Sequence, residues 1–504
     1  MRHSKYLLLC LLSAGPQLPA AVKLPALISD HMVLQQNVPV RIWGTANAAE
    51  VVTISFHGQK VSANASPAGK WSVFLNPLKP GAPTDLTITG ENTIVIHDVL
   101  VGEVWVGSGQ SNMEMSVERS KDADTEIAAA QYPKIRLFTV KRSVADTPAD
   151  DVIGSWKLCD STSVKTSSAI GYFFSRELHQ KLGIPIGFIH SSWGGTPAQS
   201  WTSAQALEME PALKFISADW DKILTNYPAA KDRYDKALET YTEAAAKAKA
   251  DGATPPTAPR PPVGPGHPNT PSGLYNAMIA PLTPYAVGGV LWYQGESNAS
   301  ATHALPYRRL FRLMIEDWRQ NWNQGSLPFL FVQLANYKAN PYWPLLRESQ
   351  ADALELKDTG MAVAIDVGET NDIHPKNKQA VGHRLALAAR AKVYGESIEY
   401  SGPLYRQMTR DAAGLRVWFN YVGSGLSTGG NEDLKGFTIA GKDEKFVQAV
   451  AKIEGNTVVV SSPEVTDPTA VRYDWADDPT GNLMNRAGLP AGPFRTDRWV
   501  ISGK

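Results

Sequence analysis

The chain has 504 residues, and because one hydrophobic core stops growing at roughly 250–300 residues, two or three domains are expected. Its 49 Lys and Arg equal its 49 Asp and Glu, which excludes the basic excess typical of proteins that bind nucleic acid or anionic membranes. This balance favours a neutral partner.

The first 21 residues have the pattern of a signal peptide. Residues 2–5 form a basic start, residues 6–14 form an apolar stretch, and Ala20 or Ala21 supplies a small-residue cleavage site. We therefore expect the mature protein to be periplasmic or secreted.

Removal of that segment leaves Cys159 as the single cysteine, so no internal disulfide is expected in the mature chain. No later stretch approaches the ~18 consecutive apolar residues that a membrane-spanning helix needs. We expect no membrane partner once the signal peptide is removed.

Residues 22–99 alternate between apolar and polar side chains. Val52, Ile54 and Phe56 are separated by polar residues, and the same holds for Leu86 and Ile88. Because side chains alternate between the two faces of a strand, this pattern predicts half-buried strands. We predict an N-terminal β-sandwich domain over residues 22–99.

Residues 100–398 have a different sequence pattern, in which short apolar runs are followed by Gly-rich loops and by segments with helical spacing. Such runs are typical of a parallel sheet covered on both faces, where catalytic groups lie beyond the carboxyl ends of the strands. The predicted strands are residues 101–106, 184–189, 287–293, 329–334 and 361–367.

An insertion interrupts this domain at about residues 203–270. Tyr234, Leu238 and Tyr241 keep helical spacing, Gly252 ends the helix, and a proline-rich strap follows. The insertion is either a lid over the substrate or a peripheral excursion, and the pattern favours the second.

Alternation returns after residue 399, for example at Val417 and Phe419 and at Val458 and Val460. We predict a C-terminal β-rich domain over residues 399–504. Periodicity does not show whether it stands alone or packs against the N-terminal sandwich.

The segment 107–113, Gly-Ser-Gly-Gln-Ser-Asn-Met, follows the first predicted strand of the central domain. Glycines permit a tight strand-to-helix turn that pushes one side chain outward, with helix N–H groups facing any negative charge above it. Ser111 is the candidate nucleophile, although Met113 replaces the second Gly of a G-x-S-x-G elbow. The alternative interpretation is a Ser and an Asn that cap a helix.

The segment 370–376, Thr-Asn-Asp-Ile-His-Pro-Lys, follows the last predicted strand. A serine hydroxyl needs a base to take its proton, and a carboxylate behind the imidazole holds the ring in the correct tautomer. Asp372 and His374 supply this pair, and Pro375 biases His374 toward extended backbone. Alternatively, Asp372 only caps the next helix.

Two further loops carry hydrogen-bond donors, Ser-Ser-Trp-Gly-Gly-Thr at 191–196 and Trp-Tyr-Gln-Gly-Glu-Ser-Asn at 292–298. A tetrahedral intermediate carries an oxyanion, and loss of one such donor costs about 2.7–4 kcal/mol. Spacing does not distinguish oxyanion donors from ordinary turn residues. The candidate donors are the backbone N–H groups of Ser111, Gly194 and Gly195 and the side-chain amides of Gln294 and Asn298.

Together these loops resemble the SGNH hydrolase superfamily, specifically its sialate O-acetylesterase branch and related carbohydrate acetylesterases. The matching motifs are residues 101–113, 192–201, 292–298 and 372–376, with weaker likeness at 274–281, 471–475 and 488–490. The resemblance covers nearly the whole mature chain.

The resemblance implies a three-layer, flavodoxin-like α/β catalytic domain with a parallel sheet, and a serine acyl-enzyme mechanism with no metal and no other cofactor. It implies that Ser111 is the nucleophile and His374 the base, with Gly195 and Gln294 as oxyanion donors.

The chain departs from the wider superfamily pattern at the acid. That pattern places the acid three residues before the histidine, where this chain has Asn371. The sialate branch has Asp-Ile-His, which favours Asp372, with Asp366 as the alternative.

The third motif also departs, because it lacks the usual Gly-x-Asn-Asp arrangement. Asn298 is therefore a weaker candidate for the oxyanion than Gln294. Glu296 either orients substrate or supports the loop.

We therefore expect an esterase that removes acetyl groups from sugars, either sialic acids or hemicelluloses such as xylan or xyloglucan. The alternative is a non-catalytic carbohydrate-binding protein with a degenerate hydrolase fold, motivated by the two β-rich regions and by Trp343 and Trp475. A Ser, Asp and His set favours the enzyme. Hydrolysis of lipids or peptides is disfavoured because no long apolar flap is evident. Which glycan is used and the oligomeric state stay open.

Overall fold

The computed structural model describes residues 21–430 and 432–500. The predicted signal peptide, except for Ala21, lies outside the described residues. The strands of the N-terminal part are β1 (Val33–Gln35), β2 (Val40–Thr45), β3 (Val51–Phe56), β4 (Gln59–Asn64), β5 (Lys70–Leu75), β6 (Thr84–Thr89) and the long β7 (Thr93–Gly109).

The central part adds further strands and the α-helices. The strands are β8 (Gln131–Thr139), β9 (Trp156–Asp160), β10 (Ile186–Ser192), β11 (Gly289–Tyr293), β12 (Phe329–Val332) and β13 (Thr359–Ala362). The helices are α1 (Ser111–Glu114), α2 (Ala123–Ala128), α3 (Ala169–Leu182), α4 (Ala204–Met209), α5 (Lys214–Ala250), α6 (Tyr307–Trp322), α7 (Trp343–Ala351) and α8 (Lys378–Lys392).

The C-terminal part consists of short strands. They are β14 (Leu404–Asp411), β15 (Gly414–Asn420), β16 (Leu426–Ser427), β17 (Phe437–Ala440), β18 (Val447–Gln448), β19 (Val450–Glu454), β20 (Thr457–Ser461), β21 (Ala470–Tyr473), β22 (Met484–Asn485) and β23 (Phe494–Arg495).

The N-terminal strands pair in antiparallel fashion, except that β1 pairs in parallel with β7. β3 pairs with β4 and β6, β6 pairs with the first half of β7, and β2 pairs with β5. The alternating residues Val52, Ile54 and Phe56 are buried. β7 continues without a break past Val99 into the central sheet, and the buried residues of both parts form one hydrophobic cluster. The first two predicted domains therefore share a strand and a core.

The central sheet has the strand order β13-β12-β11-β7-β10-β8-β9. The five strands predicted from apolar runs, β7, β10, β11, β12 and β13, pair in parallel, as predicted. β8, which was not predicted, is parallel to β10, and β9 is antiparallel to β8. With the antiparallel N-terminal strands attached through β7, the whole sheet is mixed. The last predicted strand is shorter than expected, because β13 ends at Ala362 and residues 363–367 lie beyond it.

Helices cover both faces of the parallel strands. Trp105 of β7 packs edge-on against Phe174 of α3, with 5.0 Å between ring centroids. Trp292 of β11 stacks on Phe311 of α6 at 6.3 Å. Trp105 is paired with Gly289, three residues from Trp292, so the two tryptophans point to opposite faces. Helix α8 packs beside α3 on the first face.

The insertion contains the predicted helix and strap. Helix α5 begins at Lys214, earlier than the spacing indicates, and Ile216 is its buried residue. Residues 251–271 contain no helix or strand, and Gly264 lies directly against the ring of Tyr227. The strap therefore returns along the helix.

Eight of the C-terminal strands form two antiparallel sheets, β14-β15-β20-β19 and β18-β17-β21-β23, and the other two, β16 and β22, form an antiparallel pair. This region has its own hydrophobic cluster. This region packs on the central part. The buried Arg347 of α7 donates hydrogen bonds to the carbonyl oxygens of Ala476 and Asp477, at 2.7 and 2.9 Å. The same guanidinium donates to the carbonyl oxygens of Leu334 and Ala335, at 2.8 and 2.6 Å.

Substitution Arg347→Ala is expected to lower the free energy of unfolding by at least about 3 kcal/mol, because it leaves buried carbonyl oxygens unpaired and opens a cavity. Urea titration followed by tryptophan fluorescence measures the loss. Arg308→Ala is the control, since this arginine forms ion pairs with Glu348 and Asp352 at a site that is 40% exposed. A loss of about 0–1 kcal/mol is expected there. Equal losses in the two variants would contradict the conclusion that the buried hydrogen bonds of Arg347 stabilise the fold more than the exposed ion pairs of Arg308.

Cys159, the one cysteine among the described residues, is buried and unpaired. Among the residues that the structure describes, no helix combines the length and the apolar character needed to cross a bilayer. The same residues contain no cluster of three or more His, Cys, Asp and Glu side chains suited to a metal ion.

Candidate active site

The first three motif loops begin at one level of the central sheet. Gly109, at the end of β7, is in register with Ser192 of β10 and with Tyr293 of β11. Because these parallel strands end at the same edge, the loops that follow them lie side by side.

Ser111 follows a turn that only glycine fits. Gly109 has φ +131°, and a side chain there would collide with the carbonyl oxygen of Tyr293. The N–H of Gln110 donates to that same oxygen at 3.0 Å. The chain then enters the one-turn helix α1, which leaves Ser111 partly exposed at the carboxyl end of the central strand.

His374 lies beside Ser111. Its Nε2 is 2.8 Å from Ser111 Oγ, although the two residues are 263 positions apart in sequence. Asp372 Oδ1 accepts the backbone N–H of His374 at 2.9 Å and lies 3.6 Å from its Nδ1. The structure therefore brings together Ser111, His374 and Asp372, with the carboxylate adjacent to the imidazole but just beyond hydrogen-bond distance of Nδ1.

Asp366, the alternative acid, is engaged elsewhere. Both of its carboxylate oxygens accept hydrogen bonds from the Arg384 guanidinium, each at 2.6 Å. This bidentate ion pair leaves Asp372 as the carboxylate next to His374.

Burial lowers the pKa of His374 below its ordinary value. The positive charges of Lys378 and Arg119 act in the same direction, whereas the negative charge of Asp372 opposes them. The imidazole is therefore neutral, and able to accept a proton, at and somewhat below neutral pH.

Ser111 and His374 open into a cleft of about 610 Å³. Its wall includes Trp193, and the guanidinium of Arg142 lies 5.6 Å from the centroid of that ring. Arg142 also forms an ion pair with Glu114. The remaining lining residues are Met115, Ser116, Glu118, Arg119, Thr139, Val140, Lys141, Thr166, His190, Ser192 and Gly194.

The two glycines of the second motif differ in their contacts. A side chain at Gly194 would lie 3.2 Å from Ser111 Cβ, and the Gly194 N–H donates to Glu114 Oε2 at 2.6 Å. Gly195 has φ +78°, a conformation that favours glycine, and its N–H donates to none of the residues that the structure describes. Of the two glycines, Gly195 is therefore the one whose backbone N–H donates to no described residue.

Gln294 and Asn298 hold the loops together behind the cleft. Gln294 Nε2 donates to the carbonyl oxygen of Thr196 at 3.2 Å and to Asn298 Oδ1 at 2.7 Å. Asn298 Oδ1 also accepts the N–H of Ala198, and its Nδ2 donates to Gln199 Oε1. Both side chains are buried, and neither lines the cleft. In this geometry Gln294 has no N–H left for the oxyanion that the resemblance assigns to it.

Glu296 belongs to a buried cluster that the sequence did not suggest. Glu296 Oε1 accepts from Asn112 Nδ2 at 2.6 Å, and Asn112 Oδ1 accepts from Lys378 Nζ at 2.5 Å. Asn112 Nδ2 also donates to the carbonyl oxygen of Ile373 at 2.9 Å. A lysine in the first turn of a helix is ordinarily exposed, so nothing in the local pattern marks Lys378 as buried.

His190 and Ser192 were also not anticipated. His190 Nε2 lies 2.5 Å from Ser192 Oγ, and both residues line the cleft. Burial lowers the pKa of His190 to about 4, so this second imidazole is neutral at physiological pH.

The aromatic residues singled out as sugar-binding candidates lie outside the cleft. Trp343 is 3% exposed, and its indole N–H donates to the carbonyl oxygen of Ala335. Trp475 contacts the guanidinium groups of Arg472 and Arg495 in the C-terminal part. Neither these tryptophans nor the helix and strap of the insertion appear in the cleft lining.

Comparisons with known proteins show the family to which the chain belongs. The family model described as "Carbohydrate esterase, sialic acid-specific acetylesterase" matches residues 267–391, which include the third and fourth motifs. The crystal structure of a carbohydrate acetylesterase from Xanthomonas citri superposes with a TM-score of 0.82 at 37% identity, covering 95% of this chain and 100% of that one.

Curated relatives extend the match to about three quarters of the chain. Sialate O-acetylesterase of Rattus norvegicus is 34% identical over a 424-residue alignment that covers 76% of this chain and 75% of that protein. Sialate O-acetylesterase of Homo sapiens is 32% identical over a 420-residue alignment that covers 75% of this chain and 72% of that protein. Since this identity extends over most of both proteins, the chain belongs to the sialate O-acetylesterase family of carbohydrate esterases.

Proposed function

We propose that the protein is a serine esterase that hydrolyses acetyl esters on sugars through an acetyl-enzyme on Ser111. The observation that carries this proposal is the 2.8 Å contact between Ser111 Oγ and His374 Nε2 at the cleft. A serine hydroxyl within hydrogen-bond distance of a neutral imidazole is the arrangement that makes it a nucleophile. The SGNH type of fold is part of the same proposal, supported by the parallel strands covered by helices on both faces.

In the first half-reaction, His374 Nε2 takes the proton of Ser111 as Oγ attacks the acetyl carbonyl carbon. The tetrahedral intermediate collapses, and the bond to the sugar oxygen breaks as His374 returns the proton to that oxygen. The sugar leaves as an alcohol. In the second half-reaction, water loses a proton to His374 and attacks the acetyl carbonyl carbon. The bond from that carbon to Ser111 Oγ then breaks as His374 returns the proton to Oγ, and the acetic acid released ionises to acetate. Asp372 stabilises the imidazolium at both stages.

The oxyanion of each tetrahedral intermediate is proposed to accept hydrogen bonds from the backbone N–H groups of Gly195 and Ser111. The free N–H of Gly195 and the close approach of Gly194 to Ser111 support this assignment. Gln294 and Asn298 are proposed to act indirectly, because they hold the loop that carries both glycines.

Two features of the cleft suit a sugar. The half-buried Trp193 offers an aromatic face of the kind that packs against sugar rings. Arg119 is exposed at the rim and forms no ion pair with any described residue, so it can bind the carboxylate of a sialic acid. A neutral hemicellulose would depend on Trp193 instead.

Acetate release from O-acetylated sialic acid, acetylated xylan, acetylated xyloglucan and 4-nitrophenyl acetate tests the proposal. A fluorophosphonate probe is added in a parallel reaction, and the modified peptide is identified by mass spectrometry. We expect turnover of 4-nitrophenyl acetate and of at least one acetylated glycan, with the label on Ser111. Binding of sugars without acetate release and without labelling of Ser111 would instead support a carbohydrate-binding protein.

The proposal also places the enzyme outside the cytoplasm, in the periplasm or secreted. The signal-peptide pattern in the first 21 residues supports this location. An enzyme in that location has access to polymeric hemicelluloses and to the glycans of other cells, which agrees with an esterase acting on acetylated sugars.

A further inference from the structure

The side chain next to the nucleophile connects the two halves of the site. Resting on the serine esterase proposed above, we propose that Asn112 is a positioning residue that sets the distance between Ser111 and His374. Lys378 and Glu296 fix the orientation of its amide.

Asn112 links two loops that are distant in sequence. It directly follows Ser111 and is 2% exposed. Its Nδ2 donates at 2.9 Å to the carbonyl oxygen of Ile373, the residue that precedes His374. One side chain therefore joins the turn that carries the hydroxyl to the loop that carries the imidazole.

The partners of Asn112 admit only one orientation of the amide. Lys378 Nζ can only donate when charged, and it contacts Oδ1 at 2.5 Å. The Glu296 carboxylate and the carbonyl oxygen of Ile373 can only accept, and both contact Nδ2. A flipped amide would face two acceptors with its oxygen and an ammonium with its nitrogen. The hydrogen bond to Ile373 is therefore selected by two partners of opposite charge.

The two charged partners are held in place by burial. Lys378 Nζ lies 5.4 Å from the ring centroid of Tyr293, and Lys378 is completely buried. Glu296 Oε2 is buried and has no hydrogen-bond partner among the described residues. Burial lowers the pKa of Lys378 to about 7 and raises that of Glu296, while the opposite charge of each opposes these shifts. Asn112 is the side chain that hydrogen-bonds to both of these groups, and it lies between two partly compensated charges.

The position of Asn112 between the two loops should affect the turnover rate, kcat. A displacement of about 1 Å between reacting groups costs on the order of 10²-fold in rate, because the proton must be transferred along a short hydrogen bond. Asn112 touches neither the reacting ester nor the proton. Its loss should therefore lower kcat through the Ser111–His374 distance and leave KM nearly unchanged.

The test is Asn112→Asp with 4-nitrophenyl acetate as substrate. The new carboxylate faces Glu296 and the carbonyl oxygen of Ile373, so we expect kcat to fall about 10- to 100-fold while KM changes less than about 3-fold. Adding Glu296→Gln supplies a donor to the carboxylate, and this double variant should recover at least about tenfold over Asn112→Asp. Asn226→Asp on the exposed face of α5 makes the same chemical change and should leave kcat unchanged.

Thermal unfolding of each variant separates positioning from stability. If Asn112→Asp does not fold, Lys378→Met provides the second variant, with the same expectation of a lower kcat at similar KM. An Asn112→Asp or Lys378→Met enzyme with wild-type kcat would overturn the inference. So would a double variant no better than Asn112→Asp. Inactivity of the wild-type enzyme toward all acetate esters would instead contradict the proposed function.

Discussion

Replacement of Ser111 by alanine is expected to lower kcat/KM for acetate esters by about 10³- to 10⁶-fold, the range found when serine hydrolases lose their nucleophile. The substitution removes a single oxygen atom from a partly exposed side chain, so the fold should persist. The measurement is acetate release at saturating and subsaturating substrate, with circular dichroism to verify folding.

Ser217→Ala is the matched control for this variant, because Ser217 is an exposed serine on α5 whose hydroxyl donates only to its own helix. It should retain wild-type kcat/KM. The Ser111→Ala enzyme should also fail to react with the fluorophosphonate probe. Retention of more than about a tenth of wild-type activity in Ser111→Ala would remove this hydroxyl from the mechanism.

Replacement of His374 by alanine is expected to lower kcat/KM by at least about 10³-fold, because Ser111 then has no base within reach. The double variant Ser111→Ala with His374→Ala should be no less active than either single variant, since the two side chains act as one unit. His383→Ala is the control, because this exposed histidine of α8 pairs with Glu177 on the surface. A multiplicative loss in the double variant would argue that the two groups act independently.

The pH dependence of kcat/KM reports the same imidazole. His374 accepts a proton only when neutral, so activity should rise with pH through its pKa. Burial lowers that pKa, so the midpoint should lie below about 6.5 and the rate should be near its plateau at pH 7. Asp372→Asn removes the charge that opposes this shift and should move the midpoint lower. Asp366→Asn, which breaks the pair with Arg384, should leave the midpoint in place.

The fold could be predicted to the extent that it depends on local patterns. Alternation at Val52, Ile54 and Phe56 predicted β3, because a strand buried on one face has an apolar residue at every second position. Continuous apolar runs predicted part of β7 and its neighbours β10 and β11, because a strand buried on both faces is apolar at nearly every position. β8 and the edge strand β9 were missed, since exposed side chains at Lys134 and in β9 interrupt or shorten the apolar run.

The candidate site, like the fold, could be predicted from the sequence only where it depends on local patterns. The sequence by itself predicted Ser111, Asp372 and His374 as candidate catalytic residues, because a glycine-rich turn and an Asp-Ile-His-Pro segment place the required residue types within a few neighbouring positions. Only the tertiary structure placed Ser111 and His374 at 2.8 Å. Their proximity depends on the register of β7 with its neighbours and on the return of the chain after β13.

Tertiary structure alone also decided what each polar side chain contacts. Gln294 turned out to bridge Thr196 and Asn298, and Lys378 turned out to be buried against Asn112. The spacing of residues along a strand or helix determines which face a side chain occupies. Many of its hydrogen-bond partners come from segments that are distant in sequence, and their positions depend on how the whole chain packs.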